Sequence, residues 1–231
     1  MRSRSTGVLL WGILAAGVLT ASLILGQAVP VRAAYGTCTP NDTHIGAYDG
    51  NAIPASSGTK AWINTDEPQF VCEDTSMWVV LDSGGQYEYA QVGLDYRVGY
   101  SPWIFVQWAN TTGYSPAREL QVAPSGKYPY AVKYDSINYT YYFKCNNTVV
   151  ASASDLGWTA HDNQWEAEPQ TTQDYVPGTA SNPAKEYNMQ YMLSGTWYYT
   201  STSVLQFDNS TPDGTFSSKG WDYLGVWDIR S

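Results

Sequence analysis

Histidine is nearly absent from this sequence, and cysteine and basic residues are scarce. The 231 residues hold two histidines, three cysteines and 12 lysines and arginines. His44 and His161 have no neighbours at metal-ligand spacing. No zinc motif, Ser-His-Asp arrangement or phosphate-cradling glycine loop can be built around them, so neither a metal site nor a cofactor is expected. Three cysteines, Cys38, Cys72 and Cys145, allow one disulfide and leave one thiol over. Cys72 and Cys145 both sit in strand-like segments and form the expected pair. No stretch sustains an apolar repeat of 3.6 residues, which argues against long helices.

Acidic residues are also missing from the first 41 positions. Met1-Arg2-Ser3-Arg4 is followed by an apolar run from Val8 to Leu25, then Gln27, Pro30 and Val31-Arg32-Ala33. That is the layout of a secretory signal with a small-residue cleavage site, so residues 1–33 are read as an export segment and the protein as secreted. The run approaches the ~20 residues that span a bilayer, so a retained cell-surface anchor is the alternative. Removing the segment leaves 9 basic against 21 acidic residues, a net charge of −12. Such a balance repels nucleic acid and anionic lipid, and neither nucleic acid nor stable membrane insertion is expected of the processed chain.

What is abundant is tyrosine and tryptophan, 19 and 10 residues. Residues 34–66 are rich in Gly, Thr, Asn, Ala and Pro and read as an extended lead-in. From Gln69 onward, short runs of Val, Ile, Tyr, Trp and Thr alternate with Gly, Pro, Asn and Ser clusters. Strands are expected near 69–72, 76–82, 87–98, 102–109, 118–123, 128–136, 139–151, 162–168, 187–200, 202–208 and 221–229, with a long loop at 169–186. Many short strands with regular turns imply an all-β, antiparallel sandwich over residues 67–231. Alternation along 87–97 puts Glu88, Ala90, Val92, Leu94 and Tyr96 on a core face. Tyr87, Tyr89, Gln91, Gly93, Asp95 and Arg97 fall on the other, which is either a solvated surface or a lined groove.

Four segments carry a resemblance: Trp78-Val79-Val80-Leu81-Asp82, Ala90-Gln91-Val92-Gly93-Leu94-Asp95, Phe105-Val106-Gln107-Trp108 and Gln164-Trp165-Glu166-Ala167-Glu168-Pro169. In order and approximate spacing over residues 76–168 they resemble the glutamic peptidase (eqolisin) domain, and more distantly the neprosin-type peptidases. The resemblance implies a concanavalin-like sandwich with a glutamine and a glutamate on one concave sheet, cleaving peptides in acid. Carried onto this chain, Gln91 would be the oxyanion donor and Glu168 the general base. Asp82 and Asp95 would orient or tune them, and Trp78, Trp108 and Trp165 would wall the groove.

Two departures weigh against activity. Gln164 stands where the family has its first glutamate, and Gln107 where an acidic groove residue is expected. If the Gln164 position supplies the base, the pair becomes Gln/Gln and hydrolysis is lost. The competing expectation is a non-catalytic carbohydrate- or surface-binding module on the same sandwich, with Trp and Tyr stacking on sugar rings. The partner is thus a polypeptide substrate or a polysaccharide ligand.

Overall fold

Why these residues form strands is visible in their alternation. In β3 (Asp74–Asp82), Met77, Val79 and Leu81 turn one way while Trp78, Val80 and Asp82 turn the other. The computed structural model describes residues 45–49, 56–64, 74–84, 87–97, 99–171, 174–175, 178–179, 181–200, 204–208, 214–217 and 223–228. The chain divides into two units, Met1–Arg32 and Ala33–Ser231, and the described residues all lie in the second. The expected export segment, Cys38 and Cys72 fall outside them. Among the described residues every regular element is a strand, and no helix is long and apolar enough to cross a membrane.

Two antiparallel sheets result. The first has the order β14 (Val204–Asp208), β1 (Ile45–Asp49), β11 (Asp162–Pro169), β3, β4 (Tyr89–Arg97), β5 (Trp103–Asn110) and β6 (Gly113–Tyr114), with β7 (Arg118–Val122) also on β5. The second has the order β10 (Thr148–Ser154), β9 (Thr140–Cys145), β8 (Lys127–Asp135), β2 (Gly58–Asn64), β12 (Ala184–Leu193), β16 (Tyr223–Asp228) and β15 (Gly214–Ser217), with β13 (Thr196–Tyr199) on β12. The core lies between them. Met77, Val79, Leu81, Val92, Leu94, Ile104 and Val106 of the first sheet meet Ala61, Ile63, Tyr130, Val132, Tyr141 and Phe143 of the second. This is the expected all-β sandwich.

Three expectations about elements need correction. Residues 34–66 are more than a lead-in: β1 is hydrogen-bonded between β14 and β11, and β2 sits inside the second sheet between β8 and β12. The sandwich therefore begins before residue 67. The expected strand 139–151 is a hairpin, because Asn146 and Asn147 take φ of 49° and 63° and reverse the chain. The expected strand 187–200 is likewise the hairpin β12–β13, turned at Ser194 and Gly195 with φ of 48° and 81°. Asn tolerates this left-handed region and Gly enters it without a steric penalty.

Of the expected Cys72–Cys145 pair only Cys145 lies among the described residues. Cys145 is a free thiol that packs in the core beside the Tyr130 hydroxyl, and burial raises its pKa. It therefore behaves as a small apolar side chain.

Candidate functional site

The outer face of the first sheet, away from the core, collects the polar residues. Strand register arranges them in rows. Gln164 of β11, Val80 of β3, Gln91 of β4 and Gln107 of β5 are in line. Glu166, Trp78, Gly93 and Phe105 form the next row; Glu168, Ser76, Asp95 and Trp103 the one after. On the other side of the glutamine row lie Asp162, Asp82 and Tyr89. A solvated face would leave such side chains open to water. Here Asp82, Glu166, Gln91 and Asp95 are only 4, 8, 9 and 9% exposed, so the face is a lined recess.

Val80 is the floor. Gln164 and Gln91 flank it in register, Asp82 and Trp78 lie before and behind it on the same strand, and Glu166 is its diagonal neighbour. An amide donor, a second amide and two carboxyl groups thus ring one small apolar side chain. Trp78, Val80 and Phe105 form a buried cluster of their own, with Tyr89 against it, and the Trp78 and Phe105 rings meet edge to face at 6.0 Å. Gly93 makes this packing possible. A Cβ there would stand 2.0 Å from the Met77 carbonyl oxygen and 2.6 Å from the Trp78 Cα, so no side chain fits.

Gln91, Gln164 and Asp82 are each held by hydrogen bonds. Gln91 Nε2 donates to Gln107 Oε1 at 3.0 Å, which fixes the carboxamide plane. Gln164 Nε2 donates to Asp82 Oδ2 at 2.7 Å, and the Gly84 backbone N–H donates to Asp82 Oδ1 at 2.6 Å. Burial raises the Asp82 pKa, and these two donors pull it partly back. Glu166 is pushed up to about 8 by burial and then by the Asp82 charge. It is therefore an uncharged acid through the acid and neutral range. Two carboxyls of unlike environment beside a fixed carboxamide can supply a proton acceptor, a proton donor and a charge-stabilising N–H.

A second acid backs Glu166 from the core. Glu186 of β12 is in register with Ile63 and Leu224 and is fully buried between the sheets. Among the described residues neither carboxyl oxygen finds a partner of good hydrogen-bond geometry. Burial, followed by the Glu166 carboxyl, lifts its pKa well above the ordinary range; the Glu166 backbone N–H compensates only in part.

At the far end of the recess, Arg97 is surrounded by acids. Its Nε is 3.1 Å from Asp95 Oδ2 and 3.4 Å from Asp74 Oδ2, and an Nη pairs with Glu119. Burial, followed by Asp74, raises Asp95 to about 7 despite Arg97. Asp95 is accordingly part of an ion cluster remote from Val80.

The sequence-selected residues divide clearly. Gln91, Trp78, Asp82, Asp95, Gln164 and Glu168 all reach the recess face. Trp165 and Trp108 do not: their parity turns them to the core, where Trp165 is fully buried and Trp108 stacks on Phe143 at 5.6 Å. Glu168 shares the face with Gln91, yet four residues of strand and two strand spacings separate them, roughly 13 Å along and 10 Å across. Gln170 Nε2 donates to its carboxylate at 3.2 Å. Of the two glutamates Glu166 is the nearer to Gln91, two strands across and ~7 Å along the sheet from the glutamine row. Glu166 and Gln107 were legible from alternation alone, as were Phe105 and Trp103.

Solved structures share the fold of this chain. A scytalido-glutamic peptidase bound to a transition-state analogue inhibitor superposes with a TM-score of 0.57 and 13% identity, over 84% of this chain and all of that one. The same enzyme with a peptide-based transition-state analogue gives 0.54 and 13%, over 83% of this chain and all of that one. The chain has the fold of scytalido-glutamic peptidase. A member of the eqolisin peptidase family in complex with the tripeptide Ala-Ile-His aligns at 0.49 and 12% identity, over 83% of this chain and all of that one. No family model and no curated protein matches the sequence. At these identities the likeness to scytalido-glutamic peptidase is one of fold, and the residues around Val80 must carry any argument about chemistry.

Proposed function

We propose that this chain is an exported hydrolase of peptide bonds that works from mildly acid to neutral pH, with its reaction centre above Val80. The observation that carries the reading is the ring itself: Gln91, Asp82, Gln164 and Glu166 around one buried valine. In this reading the scissile carbonyl lies over Val80, with its oxygen toward the Gln91 carboxamide N–H. Asp82, kept ionisable by the Gly84 and Gln164 donors, takes a proton from the attacking water. Glu166, uncharged below about pH 8, gives its proton to the leaving amine. Proton return from Asp82 to Glu166 through water restores both groups. Trp78, Phe105 and Tyr89 supply apolar contacts for substrate side chains. That the relative of the same fold takes a peptide-based transition-state analogue supports a peptide as the substrate class.

Glu166 replaces Glu168 as the proton-transferring glutamate in this proposal because the register puts it closer to Gln91. Export rests on the layout of residues 1–33.

A second reading has its own observation. The row that crosses the recess carries three amides about Val80, namely Gln164, Gln91 and Gln107, and such a row with aromatic neighbours suits neutral hydroxyl-rich ligands. One assay separates the two. Degradation of an unfolded protein substrate is followed from pH 2 to 7. Cleavage is expected to rise with pH as Asp82 ionises and to persist to neutrality, where Glu166 still holds its proton. Absence of cleavage at every pH, together with glycan binding that Gln91→Ala abolishes, would establish the binding reading instead.

A further inference from the structure

The second sheet turns its own outer face away from the recess, and that face inverts the charge of the molecule. Of the nine basic residues beyond residue 33, five lie on it: Lys60 of β2, Lys127 and Lys133 of β8, Lys144 of β9 and Lys185 of β12. Their parity is fixed by neighbours that face the core, namely Ala61, Ile63, Tyr130, Val132, Phe143 and Ala184. Among carboxylates in these strands with described side chains, Glu186 points into the core. Asp135 is bound into its own turn by Ile137 and Asn138.

The lysines form two groups. Lys144, Ala131, Lys60 and Gln190 share a row, with Lys133 one step further on. Lys127 and Lys185 lie roughly 13 Å away at the other end, where burial, followed by the Lys185 charge, lowers the Lys127 pKa. Between the groups runs an aromatic row, Trp62, Tyr187 and Tyr223 in register. Lysines lie against these and neighbouring rings: Lys127 over Tyr187 at 3.1 Å, Lys60 over Trp197 at 4.5 Å and Lys185 over Tyr223 at 5.6 Å. Cation–π contact steadies the ammonium groups and leaves N–H donors outward.

We propose that this face is a docking surface for an anionic polysaccharide, a chain bearing carboxylate or sulfate groups, independent of the chemistry at Val80. Charge complementarity supplies the attraction. The net charge of −12 argues against anionic partners only while charge is treated as uniform. Among the described residues Asp74, Asp82, Asp95, Glu119, Glu166 and Glu168 lie on the first sheet and the five lysines on the outer face of the second, and screening over about 8–10 Å lets each face act for itself. The aromatic row favours a sugar chain over a lipid surface. Flat rings between two cationic groups stack on pyranose faces while the lysines meet the acid substituents.

The test uses the exported chain and three immobilised or titrated probes: polygalacturonate, a sulfated galactan and uncharged dextran, at pH 6. Binding to the two charged polymers, and none to dextran, is expected. Lys127→Gln with Lys185→Gln, and separately Lys60→Gln with Lys144→Gln, should each weaken binding about tenfold or more. Raising the salt should weaken wild type more than either double variant. These surface variants should keep the wild-type melting curve and the wild-type degradation profile. Three results would overturn the proposal: wild-type affinity in both double variants; binding only to phosphatidylserine vesicles; or salt-sensitive association of the chain with itself and with no polymer, which would assign the face to the acidic recess of a second copy.

Discussion

Glu166→Gln is expected to lower the rate of peptide cleavage at pH 4 by about 10²–10⁴, the range typical of losing a positioned proton donor. The amide keeps the size of the side chain and its place beside Val80, so folding should be spared. It lacks the transferable proton that the buried, uncharged carboxyl provides. Gln91→Ala should cost about 10²–10³ in kcat with little change in KM, because its N–H is asked to act on the oxyanion rather than on the bound peptide. Glu168→Gln should stay within about threefold of wild type, since Glu168 lies two rows from Gln91 and is engaged with Gln170. Steady-state kinetics on one fluorogenic peptide covers all three. A silent Glu166→Gln beside a dead Glu168→Gln would return the proton-transferring role to Glu168.

The second large effect is on stability, and it comes from the acids that the fold keeps uncharged. Glu166 has an ordinary pKa of 4.5 when exposed and about 8 in the fold; Glu186 is shifted in the same direction. A carboxyl with a raised folded pKa binds its proton more tightly in the native state. Its contribution to stability is complete below about pH 4.5 and is lost as pH rises toward the folded value. The native state should therefore be most secure in acid and weaken by on the order of 3 kcal/mol or more between pH 5 and pH 9. Glu186→Gln removes one of the two titrations. In urea unfolding it should match wild type within about 1 kcal/mol at pH 4 and exceed it clearly at pH 9. Parallel losses in both proteins would show that Glu186 does not titrate in this range.

Much of this was legible in the residues. Alternation along 87–97 assigned both faces of β4 correctly, because a half-buried strand must separate apolar from polar residues every second position. The same parity rule, extended to β5 and β11, puts Gln107 and Glu166 in the recess and turns Trp108 and Trp165 inward. Similarity to a family motif had drawn those tryptophans outward. What stayed hidden was long-range pairing. Nothing in residues 45–64 announces that β1 and β2 pair with strands more than 60 residues away. The hairpin at Asn146-Asn147 was hidden for a local reason: its left-handed turn carries Asn rather than Gly between two aromatic and β-branched runs. Composition also concealed the basic face, since a net charge sums over surfaces that strand parity keeps apart.

The proposed chemistry takes place above Val80, between the Gln91 carboxamide and the Glu166 carboxyl. Val80→Phe tests it without altering any polar group, because the larger side chain would fill the space over the floor of the ring while the core face of β3 stays untouched. Calorimetric titration of a peptide-based tetrahedral analogue at pH 4 gives the most direct answer. Wild type should bind it and Val80→Phe should not, while Val80→Phe keeps a cooperative melting transition lowered by no more than the ~1–3 kcal/mol that overpacking a buried site costs. Equal binding by the two would place the substrate elsewhere and contradict the account.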